Sequence, residues 1–356
     1  MHVKRDFEVK MIKTEVVAAA LPMQDHWLPL SNLDLLLPPV DVGVFFCYDN
    51  NTKSDEYLSF VHMVGVLKKA LAQTMVSYYA FAGELVKNSA GEPELLCNNG
   101  GVDFCEAFAD VELEELDLYN PDESVEGKLV PVRNRGVLAV QVTQLNGGGL
   151  VVACTFAHQV ADAYSANMFL VSWAEMAQSQ PLSQPPSFRR SLLLPRRPGA
   201  YHHSVDEMEF SGGDNYCRLG IVVDGRNRLI DGEDETEAKL IASYFGNVLS
   251  IPFGEKKIEE LKIKSLNWAA NEVHEFLRSA VTKEHFLGLI DWVEEHRPEL
   301  GISKIYAARA TEEEPAVVVS PGRIFRLGKW ISDGDIPCLV LIISVGWKIG
   351  ICYANA

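Results

Sequence analysis

The sequence is poor in positive charge: 32 Lys and Arg stand against 49 Asp and Glu, a formal net charge of −17 over 356 residues. Nucleic acid and anionic membrane surfaces both select a basic field, so this balance argues against either as the main partner. Long apolar runs are missing too. The longest uncharged stretch, Gly136 to Ala161, is broken by Gln141, Gln144, Asn146 and three glycines, and Ile336 to Trp347 falls far short of the roughly 20 residues a membrane-spanning helix needs. Met1 to Lys13 carries charges every few residues and offers no apolar leader, so a cytoplasmic protein is expected. The seven cysteines (Cys47, Cys97, Cys105, Cys154, Cys217, Cys338, Cys352) are odd in number, show no C-x-x-C spacing and mostly sit in apolar runs. They read as reduced thiols packing like small hydrophobes, and Cys154, inside an apolar strand, reads as core rather than nucleophile.

Several signatures are likewise absent. There is no G-x-S-x-G elbow, no G-x-x-x-x-G-K-[ST] loop, no G-x-G-x-x-G fingerprint and no H-E-x-x-H helix, so hydrolase-elbow, nucleotide and zinc readings have no foothold. What is present is enough apolar material, 47% of the chain, for a large core and two domains. Apolar residues at helical spacing predict a helix from Tyr57 to Tyr79. Strands are predicted for Val137 to Gln144 and Leu150 to Phe156, joined by the glycine-rich turn Asn146-Gly147-Gly148-Gly149, with a helix from Tyr164 to Ala177. Gln178 to Gly199, dense in Pro, Ser, Gln and Arg, resists both helix and strand and reads as an interdomain crossover. Beyond it the pattern predicts a strand from Leu219 to Val223, a charged loop from Arg226 to Lys239, and amphipathic helices over Leu266 to Ala280 and Lys283 to Glu295. The class is α/β or α+β.

The chemistry left by elimination is that of histidine. His158 and Asp162 form an H-x-x-x-D pair where a buried strand ends and a helix begins, a place held rigidly by the core yet open to a cleft, which suits a general base. The alternative reading of His158 is a hydrogen-bonded structural histidine. A second such spacing, His202 to Asp206, follows the crossover with no strand to fix it and is read as non-catalytic.

Five ordered motifs then resemble the plant BAHD acyltransferases: Leu30-Ser31-Asn32-Leu33-Asp34, Tyr78-Tyr79-Ala80-Phe81-Ala82-Gly83-Glu84-Leu85, the His158 motif, Val223-Asp224-Gly225-Arg226, and Tyr244-Phe245-Gly246-Asn247. The resemblance runs to about Phe325, and Leu21 to Pro29 looks closest to the coniferyl alcohol acyltransferase branch. It implies two chloramphenicol-acetyltransferase-like domains, each a mixed sheet with flanking helices, the second incomplete: 1–180 with the H-x-x-x-D motif, 181–215 as crossover and deletion point, and 216–356 as a truncated second domain with an aberrant tail from about 328. It implies a monomer acting on acyl-CoA as co-substrate and a small phenylpropanoid-type alcohol, with no bound cofactor and no metal. His158 would be the base, attack would be direct, and Asp162 would point away from the substrate, pair with an arginine and hold the loop. Lys256, Lys257, Lys262 and Lys264 are candidates for the phosphates of CoA, although a solvated helix face is the preferred reading of them.

Two departures from the family stand out. Where its members carry a long stretch between the crossover and the strand at Leu219, only Phe210 to Asn215 remains, and the loss is expected to leave an apolar sheet face uncovered. At the other end, Val317 to Phe325 should lead into Asp-Phe-Gly-Trp-Gly, which is absent. Gly328 to Asp335 can be encoded as GGA AAG TGG ATT TCG GAT GGG GAC, and from its third base this reads Lys-Val-Asp-Phe-Gly-Trp-Gly. Allowed codons for Ile336 to Ser344 continue it as His-Pro-Val-Phe-Gly-Ser-Tyr-His-Phe, which again resembles the family. Residues from about Gly328 onward are therefore expected to be frame-shifted translation, with Leu339-Val340-Leu341-Ile342-Ile343 still able to form a strand. The alternative functional reading follows from these losses: a weak or inactive truncated member acting at most as a binding protein.

Overall fold

The computed structural model describes residues 7–48, 60–116, 125, 127–202, 216–230, 235–298, 316–320 and 339–345. In chain order the strands are β1 Val9–Val17, β2 His26–Pro29, β3 Asp41–Tyr48, β4 Glu84–Lys87, β5 Pro93–Cys97, β6 Val102–Ala109, β7 Leu138–Leu145, β8 Leu150–Ala157, β9 Tyr216–Ile221, β10 Val223–Asp224, β11 Leu249–Ser250, β12 Phe253–Lys257, β13 Ala316–Val319 and β14 Leu339–Val345. The helices are α1 Asn32–Leu35, α2 Phe60–Ser77, α3 Ala163–Ala177, α4 Glu235–Ala242, α5 Ile258–Ile263, α6 Leu266–Ala280 and α7 Lys283–His296.

The first half is built on a six-stranded mixed sheet in the order β1-β6-β7-β8-β3-β14, parallel only between β6 and β7. Every residue of β8 is buried, because both faces of the sheet are covered. Val152, Cys154 and Phe156 join Val44 and Phe46 of β3 in a core with Leu67 and Leu71 of α2 and Phe169 and Trp173 of α3. The alternate positions, Val151, Ala153, Phe45 and Cys47, pack against Val125, Leu129 and Val130. Gln141, one of the polar residues that break the uncharged run, closes this second face by donating from Nε2 to the Lys128 carbonyl at 2.8 Å, and the Thr155 hydroxyl donates to the Pro131 carbonyl at 2.6 Å. A buried polar side chain with a partner costs little, which is why these residues sit inside a strand.

Most of the expected elements are found within a residue or two. The β7–β8 turn places Gly147 and Gly148 at φ of 78° and 97°, the left-handed region that glycine enters freely. The helix expected over Tyr57 to Tyr79 is seen as α2, its first three residues lying outside the described ones. The strand expected at Leu219 to Val223 starts earlier, at Tyr216, and breaks at Val222, whose N–H donates to the Val319 carbonyl. One expectation is corrected: the latter part of the charged loop Arg226 to Lys239 is helical, as α4. Glu235 and Glu237 lie in its first turn and Lys239 in its last, a charge order that complements the helix dipole, with Glu235 and Lys239 3.5 Å apart.

The second half is thinner. Its sheet, ordered β12-β9-β13, buries only Arg218 and Gly220 among the residues whose burial is described, and Val319 is 43% exposed. Leu266 at the start of α6 is 87% exposed. The main packing of this half is instead α7, whose Phe286, Leu289, Ile290 and Val293 are buried and which lies against α1. His285 on α7 accepts or donates one hydrogen bond, to Ser250 Oγ at 2.8 Å, and burial pushes its imidazole down to about 4. The unfolded chain therefore binds a proton that the folded chain refuses between about pH 6.5 and pH 4, so stability falls as pH drops through that window, by at most about 3 kcal/mol. Thermal midpoints at pH 7 and pH 5 should diverge less in His285→Gln than in the parent chain; equal divergence would rule His285 out as the source.

The tail from about Gly328 to Cys338 lies outside the described residues, as does the stretch 203–215. Leu339–Val345 is seen as β14, antiparallel to β3 at the edge of the main sheet, with Leu339 opposite Cys47 and Val345 opposite Asp41.

Candidate active site

Sequence places His158 where β8 gives way to α3, and the fold holds that junction from several sides. Ala157 ends the strand with its N–H on the Val137 carbonyl, and the His158 N–H donates to the Val40 carbonyl at 2.9 Å. Asp162 is the N-cap of α3, accepting from the Ser165 N–H at 2.8 Å, so the turn between strand and helix has both ends fixed. His158 is half-buried, its Nδ1 is fully buried, and Nδ1 meets no hydrogen-bond partner. Burial lowers its basicity; its own backbone, the nearby Asp162 charge, the Asn247 side chain and the Asp34 charge oppose this without reversing it.

Asp162 turns to the second half of the chain. Its carboxylate takes a bidentate pair from Arg226, at 2.7 Å from one guanidinium nitrogen and 3.1 Å from the other, and a third bond from the Val248 N–H at 3.0 Å. Burial alone would raise this carboxyl, but the Arg226 charge and these donors hold it below its ordinary value. Arg226 is itself spread over several acceptors: the Ser165 hydroxyl at 3.0 Å, the Gly246 carbonyl at 2.9 Å and the Tyr244 carbonyl at 3.4 Å, with its guanidinium 4.2 Å from the centre of the Tyr164 ring. The arginine expected to pair with Asp162 is thus the last residue of Val223-Asp224-Gly225-Arg226.

The other motifs converge on the same place or on the packing beneath it. Asn247 is fully buried and bonds both the Asp34 carboxylate and the His158 carbonyl. Asp34, in the first motif, is also fully buried. Gly246 has φ 148°, and a Cβ there would stand 2.9 Å from an Arg190 nitrogen and from the Tyr244 ring, so the tight approach of this segment to Asp34 requires glycine. Arg190, from the crossover, donates to the Tyr244 hydroxyl at 2.8 Å and to the Phe245 carbonyl at 2.7 Å. The Tyr78 to Leu85 motif is different in kind: Phe81 stacks edge-on against Phe169 and Phe245 with centroids 4.7 and 5.2 Å away, so it packs the core that carries the site.

Asn247, Asp34 and Arg226 were not singled out from their own chemistry; the legible signal was a polar side chain inside an otherwise apolar motif. Cys154 is buried and burial pushes its thiol up to about 12, which removes it as a nucleophile. His202 is described, but His203 to Asp206 of the second H-x-x-x-D spacing lie outside the described residues. Lys256 pairs with Glu272 at 2.5 Å, and both Lys256 and Lys264 stand within 6 Å of the Trp268 ring centre, at 5.7 and 5.9 Å, on the α5–α6 surface. No described helix is long and apolar enough to cross a membrane.

A strand-to-helix histidine, backed by an aspartate–arginine pair, is thus framed by motifs from both halves of a mixed α/β fold. The Transferase family matches residues 7–214 and 211–330, and the chain belongs to that family, the BAHD acyltransferases. Similar proteins include the omega-hydroxypalmitate O-feruloyl transferase of Arabidopsis thaliana, 33% identical over 188 residues, 51% of this chain and 40% of the relative. The fatty alcohol:caffeoyl-CoA acyltransferase of Arabidopsis thaliana is 30% identical over 275 residues, 72% of this chain and 57% of the relative. The matched stretches thus span only about half the length of these curated relatives. Among solved structures, F. sporotrichioides TRI101, complexed with coenzyme A and T-2, shares the fold with a TM-score of 0.61 at 12% identity, over 91% of this chain and 88% of that one.

Proposed function

We propose that this chain is an acyl-CoA-dependent O-acyltransferase with His158 as general base and a small phenylpropanoid-type, coniferyl-alcohol-like acceptor. The observation that carries the proposal is His158 itself: a half-buried imidazole at a rigid strand–helix junction whose buried Nδ1 has no partner, in a chain of this family. Because Nδ1 is the enclosed nitrogen, proton transfer falls to Nε2. Nε2 takes the proton of the acceptor hydroxyl as its oxygen attacks the thioester carbonyl; the tetrahedral oxyanion collapses, the C–S bond breaks, and the CoA thiolate leaves and is reprotonated by the imidazolium. The attack is direct, with no acyl-enzyme. Asp162 takes no part in proton transfer; it holds the loop through Arg226. Family membership and the relatives' names, transferases to hydroxyl acceptors, support the acyl-transfer chemistry. The coniferyl-type acceptor rests on the resemblance of Leu21 to Pro29. The domain division 1–180, 181–215 and 216–356, the monomeric state and a cytoplasmic location belong to the same proposal.

The competing reading, a truncated member that at most binds ligand, is favoured by the second-half sheet, where only Arg218 and Gly220 are buried among residues of described burial. The two readings separate in one assay: thiol release from acetyl-CoA with coniferyl alcohol, run on this chain and on a frame-corrected version, beside thermal unfolding with and without CoA. Turnover by this chain is the expected result, with CoA at a hundredfold excess over its Kd adding about 2.7 kcal/mol of stability. Stabilisation without turnover would sink the enzymatic reading of this chain and leave the binding one.

A further inference from the structure

The main chain of His158 is tied down from two distant segments. Its N–H donates to the Val40 carbonyl at 2.9 Å and its carbonyl accepts from Asn247 Nδ2 at 2.9 Å, yet the buried Nδ1 has no hydrogen-bond partner. A histidine base is commonly oriented by an acceptor on its second ring nitrogen. Here Nδ1 lacks an acceptor in normal hydrogen-bond geometry, and the polar groups that act on the ring are the backbone of His158 itself and the Asn247 side chain. Fixing the polar groups on both sides of Cα fixes the direction of the Cα–Cβ bond, after which only the staggered rotamers remain, and packing chooses among them.

Asn247 is equipped for this because it is itself immobilised. It is fully buried, and its Nδ2 and its main-chain N–H both donate to Asp34 Oδ1, at 2.8 and 2.7 Å. Asp34 is in turn the carboxylate of the α1 capping box, its Oδ2 accepting from the Ser31 N–H at 2.8 Å and the Ser31 hydroxyl at 2.7 Å. The chain of contacts runs from a helix N-terminus through an amide to the carbonyl of the base, while the residues flanking Asn247 bond the Asp162–Arg226 pair through the Gly246 carbonyl and the Val248 N–H.

We propose that Asn247 is a positioning residue for His158, aiming its imidazole through the His158 carbonyl and held in place by Asp34. This rests on the reading of His158 as the base. Asn247→Ala deletes the donor to His158 while keeping the main-chain bond to Asp34; Asn247→Ser keeps a small donor and serves as the second variant should the alanine chain fail to fold.

The test pairs steady-state thiol release with histidine-selective NMR of the full chain, the His158 ring signal being identified by its loss in His158→Ala. In Asn247→Ala, kcat should fall about ten- to a hundredfold with KM unchanged, since Asn247 is fully buried and acts through the base. The single His158 ring signal of the parent should broaden or split, and Asn247→Ser should recover part of both. An unchanged kcat with an unchanged ring signal overturns the proposal. Full activity in His158→Ala would instead overturn the reading of His158 as base. Should the parent chain release no thiol, the ring signal alone decides: splitting supports positioning and an unchanged line refutes it.

Discussion

His158→Ala should abolish thiol release while leaving the fold intact. The expected loss is on the order of 10²- to 10⁴-fold, the usual worth of a positioned general base. The stability half of the expectation is less ordinary. A buried polar atom without a partner costs on the order of 1–3 kcal/mol, and His158 Nδ1 is such an atom in the folded chain. Removing the ring removes that cost along with its packing and its interactions with its own backbone and the Asn247 side chain, so the net change in stability should be small. A histidine kept for structure would behave the opposite way, losing stability when truncated. Thermal midpoints together with initial rates therefore separate the two readings, and a His158→Ala chain that unfolds early yet still turns over would refute the assignment. The acid limb of kcat/KM should lie below the ordinary imidazole range, since burial lowers His158 and the neutral form is the active one.

Arg226→Ala should be among the most damaging single substitutions for the fold. Asp162 and Arg226 are 3% and 2% exposed, and the guanidinium also serves Ser165 and the Gly246 carbonyl. Deleting it strands a buried carboxylate, for which about 3–5 kcal/mol is the usual cost, a large fraction of the 5–15 kcal/mol that holds a typical domain together. Asp162→Ala should also cost stability, including about 1 kcal/mol for the lost N-cap of α3. The double variant should cost clearly less than the sum, because no charge is left unpaired once both are gone. Urea midpoints of the four chains measure this; additive losses would mean that the pair is not coupled as the geometry requires.

How much of this was legible beforehand differs by element. The β7–turn–β8–His158–α3 unit could be read almost to the residue, because a strand buried on both faces is continuously apolar, a glycine turn declares itself, and a helical apolar spacing resumes at Tyr164. The α6 and α7 helices were equally plain from their periodicity. The helix α4 was missed because its first turn, Glu235 to Glu237, is entirely polar and only Ile241 is buried, so no apolar stripe advertised it. The His158–Asp162 spacing was visible, but the convergence of Asp34, Arg226 and Asn247 on it was not, since Arg226 stands 64 positions from Asp162 and Asn247 213 from Asp34.

The sequence by itself determined the local grammar of this protein: where strands and helices form, which faces are apolar, that the chemistry on offer is that of a histidine, and which ordered motifs tie it to its family. Those follow from interactions within a few residues, which a linear reading can see. Only the tertiary structure decided that Arg226 is the partner of Asp162, that Asn247 bridges Asp34 and the His158 carbonyl, and that the imidazole keeps an unpartnered nitrogen. These depend on burial, which turns a surface ion pair worth almost nothing into one the fold cannot lose, and on contacts between distant segments that no spacing in the chain encodes.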